Sequence, residues 1–130
     1  MGAKHKLLLS VILTLLLGGQ WAALAQNGRQ KTDPAFTAFW IKFKAAVARR
    51  DKAAVADMTK LPFMIEGIDH DRAGFLKQYA SLFTPSNRRC FAREKPGKEG
   101  DGYEIFCGDQ IFFFSKVEGV WKFAEIGVND

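Results

Sequence analysis

The sequence predicts an α+β domain in which N-terminal helices pack on a curved antiparallel meander of strands. In the first half of the chain, apolar residues recur at the three- and four-residue spacing of amphipathic helices. The last third instead contains apolar stretches joined by two-residue, glycine-containing links, which are typical of tight β-hairpins. Helices followed by a strand meander define the α+β class.

The first 25 residues are a predicted secretory signal peptide. Lys4 and Lys6 precede an apolar run from Leu7 to Leu17, and Ala23-Leu24-Ala25 is a small-x-small cleavage site. The apolar run is shorter than the roughly 20 residues that a membrane span needs, although an uncleaved anchor is the alternative. We therefore expect a periplasmic or secreted protein with no stable membrane insertion after signal cleavage.

The mature chain is expected to hold a single α+β domain at residues 34–130, after a flexible segment at residues 26–33. Loss of the two signal lysines lowers the formal net charge from +5 to +3. This charge is ordinary for a small domain, and no basic cluster is interleaved with stacking aromatic residues. Binding to nucleic acid is therefore not expected, and no cofactor is expected.

Three helices and one strand are predicted ahead of the meander. Asp33-Pro34 supplies an N-cap and a first-turn proline for the first helix. Its apolar stripe consists of Phe36, Phe39, Trp40, Phe43 and Val47. Asp51 and Asp71 are predicted to cap the second and third helices, with a strand at residues 61–68 between them. We expect the third helix to end at residues 84–87.

Four meander strands are predicted, at residues 89–94, 103–107, 110–117 and 120–128. The two-residue links at 108–109 and 118–119 fix the register of the last three strands. Counting from residues 118–119 places Phe112 opposite Glu125 in the adjacent strand.

Two cysteines, Cys90 and Cys107, are predicted to form a disulfide. An even pair of cysteines in an exported protein favours a bond. If the loop at residues 95–102 closes a symmetric hairpin, the two cysteines also lie directly opposite each other, near disulfide reach.

The same register sorts the meander side chains onto two apolar faces. The helices can cover the face that carries most of the aromatic rings. The other face needs a different cover, since an antiparallel sheet with one solvated face alternates apolar and polar residues. We therefore expect a homodimer through five residues of that face: Ile111, Phe113, Ala124, Ile126 and Val128.

The order of these elements resembles the nuclear transport factor two-like superfamily, a cone-shaped α+β fold shared with ketosteroid isomerases and scytalone dehydratase. Residues 39–47 followed by 51–56 are similar to the opening of these domains, and residues 119–126 are similar to their closing strand. The resemblance implies a ligand cavity inside the cone. Catalytic members use a Tyr and acid pair with an Asp base, or a His/Asp pair. Neither set can be placed in this sequence, so no catalytic residue is expected.

The candidate ligand-binding residues lie on or beside the aromatic face: Tyr79, Tyr103, Phe112, Phe114, Trp121 and Glu125. A carboxyl among aromatic rings can act as an acid or base, whereas a solvated position at the sheet edge is the alternative for Glu125. The two tyrosines are also explained as core aromatics. Asp69-His70-Asp71 is interpreted as a turn with a capping residue, and no metal is expected.

Three functions stay open from the sequence. The leading expectation is non-catalytic binding of a small apolar or amphipathic ligand in the cone. The second is a protein-binding module that docks by its sheet face, as an inhibitor, immunity or assembly factor. The third is a lyase or isomerase that uses Glu125.

Overall fold

A computed structural model describes residues 31–130. These residues form an α+β domain of four helices and two antiparallel sheets, which confirms the predicted class. The cone shape stays a prediction, and the signal peptide and residues 26–30 lie outside the described part. In chain order the elements are α1 (Pro34–Ala48), α2 (Lys52–Asp57), β1 (Phe63–Ile65), β2 (Ile68–His70), α3 (Arg72–Leu82), α4 (Pro85–Arg93), β3 (Gly97–Glu99), β4 (Gly102–Cys107), β5 (Gln110–Val117) and β6 (Val120–Val128).

The three predicted aspartate caps are confirmed. The side chains of Asp33, Asp51 and Asp71 accept hydrogen bonds from backbone N–H groups in the first turns of α1, α2 and α3, at 2.9, 3.1 and 2.8 Å. Each bond satisfies a donor that has no partner within its helix, so the sequence determines where these helices begin.

The segment predicted as the first meander strand lies instead in helix α4. Thr84 Oγ1 accepts a hydrogen bond from the Asn87 N–H at 3.1 Å, and Pro85 occupies the first turn. Residues 84–87 therefore begin a helix rather than only ending one. The buried residues of α4 recur at the spacing of one helix face: Asn87, Cys90 and Phe91.

The predicted strand at residues 61–68 is a hairpin of two short strands, β1 and β2. The turn residues Glu66 and Gly67 have φ angles of 50° and 79°, as a type I′ turn requires. Residues 69–70 belong to β2 and not to the predicted turn, while Asp71 caps the helix that follows.

The larger sheet has the strand order β3-β4-β5-β6. Near the β5–β6 turn the predicted register is confirmed, with Phe114 opposite Phe123. Beyond this pair a β-bulge shifts the register by one residue, so that Phe112 lies opposite Ile126 and not opposite Glu125. Because successive side chains of a strand point to opposite faces, the shift removes Glu125 from the aromatic face.

The predicted bond between Cys90 and Cys107 is confirmed, but it does not join two strands. It connects α4 to β4, with the two Cα atoms 5.7 Å apart. The strand beside β4 is β3, in which Lys98 lies opposite Tyr103, so the symmetric hairpin that placed the cysteines opposite each other is wrong. The disulfide instead fastens the helical layer to the sheet.

The helices and the aromatic face of the sheet enclose the core. Five rings of β4, β5 and β6 are at most 6% exposed: Tyr103, Phe112, Phe114, Trp121 and Phe123. Phe43 of α1 is completely buried, and its ring centroid lies 5.3 Å from that of Phe114 and 5.8 Å from that of Phe123. Tilted and edge-on contacts at these distances are those of a close-packed aromatic interior.

Asp33 also fastens the start of α1 to the sheet. Trp121 Nε1 donates to Asp33 Oδ2 at 3.1 Å, the Asp33 N–H donates to the Tyr103 hydroxyl at 2.9 Å, and Lys116 Nζ lies 3.2 Å from the carboxylate. The hydrogen bond from the Ala35 N–H, with smaller contributions from Lys116 and Trp121, holds the pKa of Asp33 below its usual range against the opposing effect of burial. The polar groups of Tyr103 and Trp121 therefore both have hydrogen-bond partners within the fold.

Candidate functional site

The aromatic residues predicted to bind a ligand form packed core. The ring centroids of Phe112 and Phe91 lie 4.8 Å apart, and those of the stacked rings of Tyr103 and Phe36 lie 3.7 Å apart. Phe114 and Trp121 are 1% and 6% exposed. The chain brings these residues together as predicted, but it uses them to fill the space in which a ligand was expected.

Tyr79 is also buried, and it stacks on Phe83 with the ring centroids 4.8 Å apart. Within residues 31–130, its hydroxyl has no hydrogen-bond partner. Burial raises the pKa of this hydroxyl, and the positive charge of Arg88 opposes the shift. Tyr79 belongs to the α3 side of the core and does not line the groove described next.

An open groove of about 800 Å³ is lined by the β1–β2 hairpin and the end of β6, and we call it the β6 groove. Pro62, Met64 and Ile65 line it from the hairpin side, and residues 124–128 line it from β6. Leu82 at the end of α3 and Gln110 at the start of β5 also contribute, as does Glu125 from the predicted site.

Glu125 is exposed. The reason for assigning it acid or base chemistry was a position among aromatic rings, and the bulge shows that position to be wrong.

The β6 groove begins where the segment at residues 58–60, which pairs with Phe123, turns away from the edge of β6. The Phe123 N–H donates to the Met58 carbonyl, and the Lys60 N–H donates to the Phe123 carbonyl, both at 2.8 Å. These bonds form an isolated parallel bridge between Thr59 and Phe123. After Lys60 the chain enters the β1–β2 hairpin, whose strand β1 packs against β6. Among the described residues, however, no strand is hydrogen-bonded to the rest of β6 on that edge.

The backbone groups of β6 alternate in direction beyond the bulge. The Asn129 N–H donates to the Asp109 carbonyl at 2.8 Å. Since hydrogen-bonded pairs alternate along an antiparallel ladder, residues 125, 127 and 129 direct their backbone N–H and C=O groups towards β5. Ile126 and Val128 therefore direct theirs away from β5, at the edge that lines the groove. Within residues 31–130, no backbone hydrogen bond engages these outward groups.

The rim of the β6 groove combines exposed apolar side chains with acidic ones. Met64 is 57% exposed and Val128 is 71% exposed. The charged lining residues are Lys60, Glu66, Asp69 and Glu125. The acids outnumber the lysine, and none of the four makes an ion pair with another described residue.

The five residues predicted to form a dimer face do not share one face. Ala124, Ile126 and Val128 line the β6 groove, and Ile126 also packs against the core. Ile111 and Phe113 stay on the opposite face of the sheet from Phe112 and Phe114, where Phe106 is 49% exposed. The homodimer stays a prediction, and any such contact would involve a smaller apolar patch than the one expected.

The hairpin side of the groove was not predicted from the sequence, although a signal for it was present. Glu66-Gly67 repeats the Glu-Gly dipeptide of residues 118–119, which was interpreted correctly as a two-residue turn. Glu118 and Gly119 have φ angles of 51° and 79°, nearly the same as those of the hairpin turn. The same dipeptide between two apolar stretches could have located β1 and β2.

The described residues show no metal centre, since no cluster of three or more His, Cys, Asp or Glu side chains in that part of the chain is arranged to hold an ion. None of the helices described is long and apolar enough to cross a membrane. In comparisons with known protein families, curated proteins and solved structures, the chain matched none. The resemblance to the nuclear transport factor two-like superfamily therefore stays a prediction.

Proposed function

We propose that this protein is an exported, non-catalytic protein-binding module whose binding site is the β6 groove. The observation that carries the proposal is the open groove of about 800 Å³ beside a strand edge whose outward backbone groups are not bonded by any residue from 31 to 130. Apolar side chains on its rim are exposed to solvent in the free domain, and exposed apolar patches bordered by polar residues commonly mark interaction sites.

The shape of the groove favours a segment of another protein over a small apolar molecule. Small-molecule sites are concave and bury about 70–90% of the ligand surface. The β6 groove is partly open to solvent, and the aromatic interior, where an enclosed cavity was expected, is filled by rings. A polypeptide segment can instead use both the apolar rim and the backbone edge.

Export is part of the proposal because the N-terminal signal pattern and the disulfide agree. Residues 1–25 carry the three parts of a secretory signal. The Cys90–Cys107 bond is of a kind that persists in oxidising compartments outside the cytoplasm.

Site-specific photo-crosslinking in the native host tests the function. A benzophenone amino acid at position 64 would lie on the groove rim, and the same amino acid at position 41 provides the control. Ile41 is 63% exposed, close to the 57% of Met64, but it lies on α1. We expect a discrete protein adduct from position 64 only.

The masses of the crosslinked species decide between the candidate functions. An adduct of small mass from position 64 would favour ligand binding and contradict the protein-binding function. Equal protein adducts from positions 64 and 41, or none from either, would contradict the groove as the site.

A further inference from the structure

We infer that the β6 groove binds an extended segment of a partner protein as an added strand on β6, and that this segment alternates apolar side chains with polar ones and carries Lys or Arg. The inference rests on the proposed function and specifies the chemistry of the partner at the same site.

The backbone of β6 supplies the pairing groups. Ile126 and Val128 each direct one N–H and one C=O away from β5, and an incoming strand can bond to both residues. The backbone groups of Phe123 also point away from β5, and they already bond to Met58 and Lys60. The open edge is therefore a short continuation of an edge at which strand-like pairing already occurs.

The hairpin limits what can pair with this edge. A second copy of the domain would have to present its own β6 together with the β5 bonded to it, and the β1–β2 hairpin faces the edge across the groove. A single extended segment lies about 4.8 Å from the strand with which it pairs, so it occupies the width of one strand rather than two. Residues 26–30 of this chain are Gln-Asn-Gly-Arg-Gln and have no apolar side chain for the rim.

Side chains on both sides of the groove define the pattern of the partner. Met64 and Val128 are exposed apolar residues on opposite sides, and alternate side chains of an added strand would point towards the same face. Glu66, Asp69 and Glu125 outnumber Lys60 and have no ion-pair partners among the described residues. The local charge is thus opposite in sign to the basic net charge of the whole chain, and it favours Lys or Arg on the partner.

A synthetic peptide of the sequence Lys-Val-Thr-Val-Thr-Val-Lys, with blocked termini, provides the probe. Its binding to the mature protein is measured by fluorescence anisotropy, and amide hydrogen exchange is followed by NMR in the free and bound protein. We expect the Ile126 and Val128 amides to become protected on binding, because they gain acceptors. The amides of Glu125 and Gly127 already face β5 and should change little.

Two sets of altered peptides test the backbone and the charge. N-methylation of one alternate set of peptide amides should weaken binding by about tenfold or more, because about two hydrogen bonds are lost, whereas methylation of the other set should be tolerated. Replacing both peptide lysines by glutamate should weaken binding by about two- to fivefold, as expected for exposed ion pairs.

Matched variants of the protein separate the backbone group from the side chain. Val128→Pro and Val128→Ala both remove the branched valine side chain, but only proline removes the outward N–H, which does not bond to β5. We expect the proline variant to bind the peptide about fivefold more weakly than the alanine variant. Glu125→Lys should weaken binding, whereas Glu118→Lys, in the distant β5–β6 turn, should not.

Each contrary outcome overturns strand addition. Peptide binding without new protection at Ile126 and Val128 would leave the proposed groove intact but would refute the added strand. Protection of both amides in the free protein at low concentration would assign the edge to another segment of this chain. Concentration-dependent protection without peptide would assign it to a second copy. Absence of binding at about millimolar peptide would refute the stated partner chemistry.

Discussion

Replacing Phe112 by alanine tests whether the aromatic interior is packed core rather than a ligand cavity. Phe112 is completely buried, and its ring centroid lies 4.8 Å from that of Phe91 and 5.8 Å from that of Phe83. Removal of the ring loses its transfer free energy and leaves a cavity, so we expect a cost of about 3–5 kcal/mol. For a domain of about 100 residues this lowers Tm by roughly 15–30 °C.

Phe106→Ala is the matched control. Phe106 lies in the adjacent strand, but 49% of it is exposed, and we expect its replacement to cost less than about 1 kcal/mol. Urea unfolding, followed by far-UV circular dichroism and tryptophan fluorescence, measures both variants. At a slope of about 1.5 kcal/mol per molar, the midpoint should fall by about 2–3 M for Phe112→Ala and by less than about 0.7 M for Phe106→Ala. A folded Phe112→Ala protein that is no less stable than Phe106→Ala would refute the packed interior.

Three further changes test contacts between the layers. Reduction of the Cys90–Cys107 bond, which spans a sequence separation of 17, should cost about 3 kcal/mol in denaturant unfolding; two alkylatable thiols in protein from its native compartment would contradict the bond. The pKa of Asp33 is lowered in the folded state, so its contribution to stability is present above the unfolded pKa and lost as the pH falls through the folded pKa. Asp33→Asn should therefore be less stable than wild type near neutrality and should approach it below about pH 4, and an equal difference at every pH would refute the contribution. Asn87→Ala should cost about 1–3 kcal/mol in thermal unfolding, because Asn87 Nδ2 donates to Gln110 Oε1 at 2.6 Å and to a backbone carbonyl at 2.7 Å; a loss below about 0.5 kcal/mol would contradict the strength of this contact.

The sequence predicted best the features that are set by local chemistry. Aspartate before the first helical turn located α1, α2 and α3, because the capping hydrogen bond forms within a few residues. The two-residue links likewise fixed the register of β4 with β5 and of β5 with the first part of β6.

Helix α4 could have been predicted from the same chemistry. Thr84-Pro85 is a cap followed by a first-turn proline, as is Asp33-Pro34, but it follows α3 so closely that it was interpreted as the end of that helix. Cys90 then appeared to belong to a strand. The disulfide prediction was correct although both the strand at residues 89–94 and the symmetric hairpin at residues 95–102 were wrong. A helix face can bring a cysteine to the sheet as well as a neighbouring strand can.

The bulge in β6 explains why the candidate site could not be located. Neither Ala124 nor Glu125 is a glycine or proline that would mark a bulge in the sequence. Their register depends on how β6 packs against β5 and against the segment at residues 58–60. One extra residue in β6 moved Glu125 off the aromatic face and divided the five residues of the predicted dimer face between the two sides of the sheet. The β6 groove depends on this tertiary arrangement, which no short sequence pattern specifies.

The most direct test of the proposed site is residue-resolved amide hydrogen exchange along β6 in the free mature protein. The structure predicts protected amides at Glu125 and Gly127, which face β5, and rapid exchange at Ile126 and Val128, which face the groove. Protection of Ile126 and Val128, or the reverse alternation, would contradict the open edge and with it the β6 groove as a strand-binding site.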